Sequence, residues 1–491
     1  MSIDPRAPVL IGCGQVKQRV DDPRDGVEPL ESMLSAARLA ERDAGTTGVL
    51  AKLDAIFVPR GLWKYANPAA WLRERLGAPG AATGLAAISG NMVQHMISHS
   101  AREIAAGRRD LVLVVGGEAE HSKRRARSRG IDLGWSEQTG PAPDLLFGGS
   151  DRDFSDHEVA RGLAQPAAFF TLFENALRAE RGETLDAHRD RISTLWQGFS
   201  RIAASNPHAW SPEPIDAATI RTPGPDNRMT AWPYPKRMCA NLVVDLSAAV
   251  IVCAYEVALR LGVPRGRCVF IHAATDAMQA PLLSHRRDFV SVPALRVAGR
   301  RVLELAGASI DRIEHLDLYS CFPAAVQLAA KELGIPQDRP LSVTGGLGFA
   351  GGPFNSYVLH STARMMDVLR ADPGTRGLVT SVGGWVSKHS FGVYGSEPPT
   401  SGFRFEDVAA SLASLPVRAL AEEFEGPATV ETYALRYAEG EPSRVALACL
   451  DARGVRSWAW SEDSDLLADM TRSEWIGRPV RILRGGALAA R

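Results

Sequence analysis

The chain has 491 residues, too many for one ordinary domain, with 45% hydrophobic residues and equal numbers of basic and acidic side chains, 56 of each. That balance describes a globular protein, with no overall basic or acidic bias to advertise a polyanionic partner. No run of about 18 apolar residues occurs, so no membrane span is expected.

In chain order, residues 8–12 read as a buried strand, 30–43 as an amphipathic helix and 53–58 as a second strand. Ala87-Ile88-Ser89-Gly90-Asn91 then opens a helix, followed by an apolar strand ending Val115-Gly116-Gly117-Glu118. Residues 120–236 break this rhythm. They hold a basic run (Lys123-Arg124-Arg125-Ala126-Arg127), helices over 166–181 and 185–205, and a Pro/Trp-rich exit. For the basic run, a solvated face and a phosphate-bearing ligand are the two readings. Residues 247–254 supply the delayed closing strand.

The pattern then repeats: a strand at 268–272, a helix at 293–305, a strand at 314–318, and a glycine turn, Gly351-Gly352-Pro353-Phe354-Asn355, that opens a helix. A strand ends Ser381-Val382-Gly383-Gly384 and a closing strand covers 390–395. Val115 and Val382 lie 267 positions apart. Short strands alternating with helices predict right-handed βαβ units in two halves sharing a layer of helices. Asn91 and Asn355 are expected to cap these helices or meet across the pseudo-dyad, and Asp245 and His272 to be structural. The run Gly345–Gly348 lacks the context of a dinucleotide fingerprint.

A helical connector is expected over 404–424, and then a tail with strands at 429–437, 444–451, 456–461 and 479–484 and an acidic helix at 463–470. This predicts a small OB-like β-barrel. Tyr433, Tyr437, Trp458 and Trp460 are candidates for base stacking, but the tail's arginines are matched by acids, so a structural or docking module is expected and nucleic acid is not. The boundaries are 1–119 with 237–262, 120–236 for the insertion, 263–403, 404–425 for the connector, and 426–491. The six cysteines (13, 239, 253, 268, 321, 449) form no C-x-x-C, so neither metal nor disulfides are expected. With no basic-then-apolar leader at the N-terminus, a cytoplasmic location is expected.

The duplicated halves, the insertion after the first Val-Gly-Gly and the turn motifs together resemble the thiolase superfamily. Within it the chain is most similar to the sterol-carrier-protein branch and to the thiolase-like proteins of type 1 that carry an additional C-terminal domain. The resemblance spans about residues 5–400, and the tail matches the extra domain. It implies a five-layer α-β-α-β-α arrangement and acetyl-CoA acetyltransferase-like chemistry in lipid metabolism. A coenzyme A thioester is implied as substrate or ligand, with no covalently bound cofactor.

Family members place a nucleophilic Cys at the head of the first-half helix, in a context such as Leu-Cys-Gly-Ser-Gly; this chain has Ile88-Ser89-Gly90-Asn91-Met92. Their His-Asp-Cys-Phe loop is Tyr319-Ser320-Cys321-Phe322 here, their Gly-His-Pro is Gly351-Gly352-Pro353, and their Cys-x-Gly is Ser381-Val382-Gly383. Each loop is recognisable and each has lost chemistry. A serine hydroxyl attacks poorly unless a base lies within hydrogen-bonding reach, and at the family's base position stands Gly352.

What the resemblance leaves is a backbone oxyanion pocket at Ser89 and Gly383, with Tyr319, Ser320, Gly352 and Ser381 as ligand contacts. The expectation is a protein that binds CoA thioesters without the usual turnover. The alternatives are an acyltransferase using Ser89 or Cys321 with His389, and a scaffold that docks another enzyme through the tail. Side-chain capping of the helix is the plain reading of Ser89. Both a homodimer and a monomer remain open.

Overall fold

A computed structural model describes residues 3–149, 152–280 and 282–489. The first half comprises β1 (Pro8–Lys17), α1 (Pro29–Asp43), β2 (Ala55–Pro59), β3 (Ala82–Ala86), α2 (Met92–Ala105) and β4 (Leu111–Ala119). After the insertion, with its helices α3 (Pro166–Glu180) and α4 (Leu185–Ala204), β5 (Asp245–Ala254) closes this half. The second half comprises β6 (Val269–Met278), α5 (Pro293–Leu305), β7 (His315–Asp317), α6 (Pro323–Leu333), α7 (Tyr357–Ala371), β8 (Arg376–Gly383) and β9 (Lys388–Gly395).

The strands run β7-β8-β9-β6-β1-β5-β4-β2-β3, and the halves join where β1 pairs antiparallel with β6 at Val9–Phe270 and Leu10–Val269. Helix α1 covers one outer face through β1, β4 and β5, and α5 covers the other through β6 and β9. Between the two faces lie α2 and α7, each touching strands of both halves. Their composition fits this place. Helix α7 buries Tyr357, Val358, Leu359, Ala363, Met365, Met366 and Leu369, apolar surface all round, as a helix without a solvent face requires. The five expected layers are present. Proline at the first turn of α1, α3, α5 and α6 starts each helix where its missing N–H has no intrahelical partner to lose.

The expected helical connector is instead a strand, Arg404–Asp407, and one short helical turn, Ala409–Leu412. The strand pairs parallel with β6 from Ala273 to Asp276, taking up edge hydrogen bonds that β1 leaves open. The tail holds β10 (Gly426–Ala438), β11 (Glu441–Leu450), β12 (Arg456–Ser461) and β13 (Pro479–Ile482) in a second, antiparallel, barrel-like sheet. The insertion contributes to it, because Met229–Trp232 pairs with β10 and buries Met229 and Trp232 in the tail's own core. Tyr433 and Trp458 are buried, and Trp458 Nε1 donates to Ser284 Oγ at 2.8 Å, so neither ring is available as a stacking platform. Among the described residues no helix is long and apolar enough to cross a membrane.

Candidate functional site

The head of α2 is held between the two halves. Ser89 follows β3 and is buried, and its carbonyl accepts from Met92 N at 3.1 Å, which starts the helix. Two glycines make the fit possible. A β-carbon on Gly383 would collide with Ser89 Oγ and Asn91 Oδ1, and one on Gly90 would collide with the Val382 carbonyl and lie 2.7 Å from the Tyr319 hydroxyl. The first, second and fourth loops therefore meet at one point. The offset of 267 that relates Val115 to Val382 also carries Ser89 onto Ser356, and a β-carbon on Gly116 would lie 2.6 Å from Ser356 Oγ. Each half packs a glycine of its own against the helix head of the other.

Ser89 does not cap α2 with its side chain. Its hydroxyl donates to Asn91 Oδ1 at 2.6 Å, and no side chain caps the helix. Among the described residues, the N–H groups of Ser89, Gly90 and Asn91 donate to no protein acceptor. They lie at the positive end of the α2 dipole, where an oxygen with developing negative charge is favoured. Asn91 and Asn355 do not meet. Asn91 Nδ2 donates to Ser390 Oγ at 3.2 Å, whereas Asn355 Nδ2 donates to the Arg60 carbonyl at 2.7 Å.

Beyond Ser390 the chain of bonds continues. Ser390 Oγ donates to Asp276 Oδ1 at 2.5 Å, and His95 Nδ1 lies 2.8 Å from Asp276 Oδ2. Burial pulls the His95 pKa down, but the hydrogen bond and charge of Asp276, with Asp407 behind it, outweigh burial and raise it. None of His95, Asp276 and Ser390 was singled out from sequence. The available signals were an acid interrupting the apolar strand β6 and a histidine one turn after Asn91.

The other expected site residues have partners of their own. His389 pairs with Val382 on the neighbouring strand and, by the alternation of a strand, faces the opposite side of the sheet from Ser390. Its Nε2 lies 3.2 Å from the Val386 carbonyl, and burial pushes its pKa down to about 3. Cys321 is buried and burial raises its thiol well above the ordinary range. Its carbonyl accepts from Ala240 N at 2.9 Å, and the adjoining Asn241 carbonyl accepts from Gly352 N at 2.9 Å, so Cys321 and Gly352 share the exit of the insertion. Ser320 faces Gly346, and Ser381 Oγ donates to the Ser390 carbonyl at 2.7 Å. Asp317, fully buried, accepts from Ser342, Thr344, Tyr357 and Ser361 and so fixes the loop that leads to Gly346.

The insertion covers the fourth loop. Trp385 stacks on Phe154 at 5.5 Å and contacts Phe169 at 4.3 Å, and Lys388 pairs with Asp153 at 2.9 Å. The loop turns through Gly384 and Val386, both at positive φ, and Arg286 donates to the carbonyls of Trp385 and Val386. The basic run forms a helix, Glu120–Ser128, whose first turn is held by Asp245 accepting from His121 N, Ser122 N and Ser122 Oγ. It walls a surface cleft of about 800 Å³ that also includes Trp63, Tyr65 and Trp135.

Comparison with known proteins agrees with this architecture. Residues 407–487 match the family described as thiolase-like protein type 1 additional C-terminal domain. A crystal structure of a monomeric SCP2-thiolase-like protein type 1 from Mycobacterium smegmatis is 29% identical, covers all of both chains and superposes with a TM-score of 0.85. Residues 407–487 carry the additional C-terminal domain of type 1 thiolase-like proteins, and the whole chain is similar to such a protein in sequence and fold. An acetyl-CoA acetyltransferase of Methanothermobacter thermautotrophicus is 23% identical to this thiolase-like chain over 384 residues, covering 72% of it and 91% of the relative. The dimeric peroxisomal thiolase of Saccharomyces cerevisiae shares the fold at 14% identity, with a TM-score of 0.55 over 81% of this chain and 99% of its own.

Proposed function

We propose that this thiolase-like chain binds coenzyme A thioesters at the head of α2 and does not carry out thiolytic turnover there. The observation that carries the reading is the hydroxyl of Ser89. It donates to an amide oxygen, which is no base, and among the described residues no imidazole or carboxylate lies within hydrogen-bonding distance of it. The backbone keeps what recognition of a thioester needs, three N–H groups at the helix head beside a glycine of the fourth loop. Acyl transfer through His389 has the geometry against it, because that ring is buried on the far face of β9.

Calorimetry with acetyl-CoA and acetoacetyl-CoA tests binding, and intact-mass measurement after incubation tests for an adduct. The expected result is saturable binding with unchanged mass and no CoA-dependent loss of acetoacetyl-CoA. No binding sinks the reading. An acetyl adduct on Ser89, or efficient thiolysis, establishes the acyltransferase instead.

A further inference from the structure

Ser89 is the end of a hydrogen-bonded chain that starts at an ion pair on β6. The direction of every bond follows from one charge. The Asp276 carboxylate only accepts, so Ser390, at 2.5 Å, must donate to it. The Ser390 oxygen is then left to accept, which turns the Asn91 amide so that its NH2 faces Ser390 at 3.2 Å and its oxygen faces Ser89. Ser89 must therefore donate, at 2.6 Å. His95, with Nδ1 2.8 Å from the second carboxylate oxygen, supports the charge that sets this order.

We propose that the His95–Asp276 pair is the positioning element of this site: it fixes the hydrogen-bond polarity from β6 to Ser89, so that Ser89 offers a ligand its lone pairs and not its proton. The ligand atom meeting Ser89 Oγ is then a donor, such as an amide N–H or a hydroxyl, or an electrophilic carbon. A carbonyl oxygen goes to the backbone N–H groups. The specificity this creates is for a thioester whose acyl or carrier portion carries a donor near the carbonyl. The inference rests on the head of α2 being the ligand-facing site, but the polarity itself is measurable without ligand. The charged groups around the pair are Asp407 on the paired strand 404–407 and His99 and Arg102 on α2. Near the Ser89 end lie the Tyr319 hydroxyl and the Asp153–Lys388 pair.

A thiol at position 89 reports the polarity. In the full chain carrying Ser89→Cys, the rate of iodoacetamide alkylation is followed against pH, alone and combined with Asp276→Asn. With Asp276 charged, the thiol faces an amide oxygen that favours its neutral form. With Asp276→Asn, Ser390 no longer has to donate, the Asn91 amide can turn its NH2 toward residue 89, and the thiolate gains a donor. The expected result is a midpoint lower by at least one pH unit, a tenfold faster reaction at pH values below both midpoints, and an unchanged rate on the high-pH plateau. The plateau reports access, so a rise there without a shift of the midpoint means mere loosening and overturns the proposal, as does an unchanged midpoint. Where Asp276→Asn does not fold, Ser390→Ala serves, since it removes the acceptor that holds the Asn91 NH2 away from residue 89: a shift of the midpoint in the same direction supports the proposal and none overturns it.

Discussion

His389, His360 and His272 are histidines whose protonation the fold resists, with burial pushing their pKa values down to about 3, 3 and 4 from 6.5. The unfolded chain takes up these protons below pH 6.5 and the native chain does not. Their contribution to stability is therefore complete above pH 6.5 and is lost as pH falls toward 4, at about 1.4 kcal/mol per pH unit for each histidine. His389→Gln is expected to flatten the fall of the urea midpoint between pH 6.5 and 4.5 by one proton's worth. An unaltered slope would mean that the ring is already charged in the native state. Glu118 has the opposite sign. Burial raises its carboxyl to about 8, with Leu62 N donating to one oxygen at 2.8 Å and the other oxygen unpartnered. As pH rises from 4.5 through 8 the unfolded chain ionises first and stability drains away. Glu118→Gln should thus match the parent chain near pH 4.5 and exceed it at pH 8 by roughly 2–5 kcal/mol, read from urea unfolding at the two pH values.

Among the elements, the short strand Leu145–Phe147 has an influence out of proportion to its length. It pairs parallel with β3 along Gly84, Leu85 and Ala86, covering an edge that would otherwise present free N–H and C=O groups to a second chain. Phe147 anchors it against Phe57 at 4.8 Å and His99 at 5.1 Å. The expected state in solution is a monomer by light scattering. Phe147→Ala is expected to cost about 3 kcal/mol or more and to free the edge for self-association. If that variant stays monomeric at high concentration, the strand is not what blocks pairing. This element was illegible in the sequence because three residues in a polar stretch carry no periodicity. The strand Arg404–Asp407 was misread for a related reason, since only its partner on β6 makes it a strand. By contrast, the long apolar strands and the helices of both halves were legible, because each buries a face whose spacing is written locally. The seat of Ser89 could be read from its motif. The bonds leading from it to Asp276 could not, because Asn91 and Ser390 lie 299 positions apart in the chain and Ser390 and Asp276 114.

At the scale of the molecule, tail and core are one structure. Arg456 is fully buried on β12, pairs with Glu431 at 2.7 Å and donates to the carbonyls of Ser284 at 2.9 Å and Arg286 at 2.5 Å, while Met229–Trp232 crosses from the insertion into the tail's sheet. Arg456→Ala leaves Glu431 with only Arg418, at 3.9 Å, and two core carbonyls without their cation, and is expected to cost about 3–5 kcal/mol. The parent chain is expected to unfold in a single calorimetric transition, and two well-separated transitions would show the tail to be autonomous. The reciprocal packing of Gly383 on Ser89 and of Gly116 on Ser356 has a consequence for the independence of the two halves. Neither half completes its own helix head: each supplies the glycine against which the other's is seated. Cut between β5 and β6, the two fragments would be expected to stay disordered apart and to regain order when mixed.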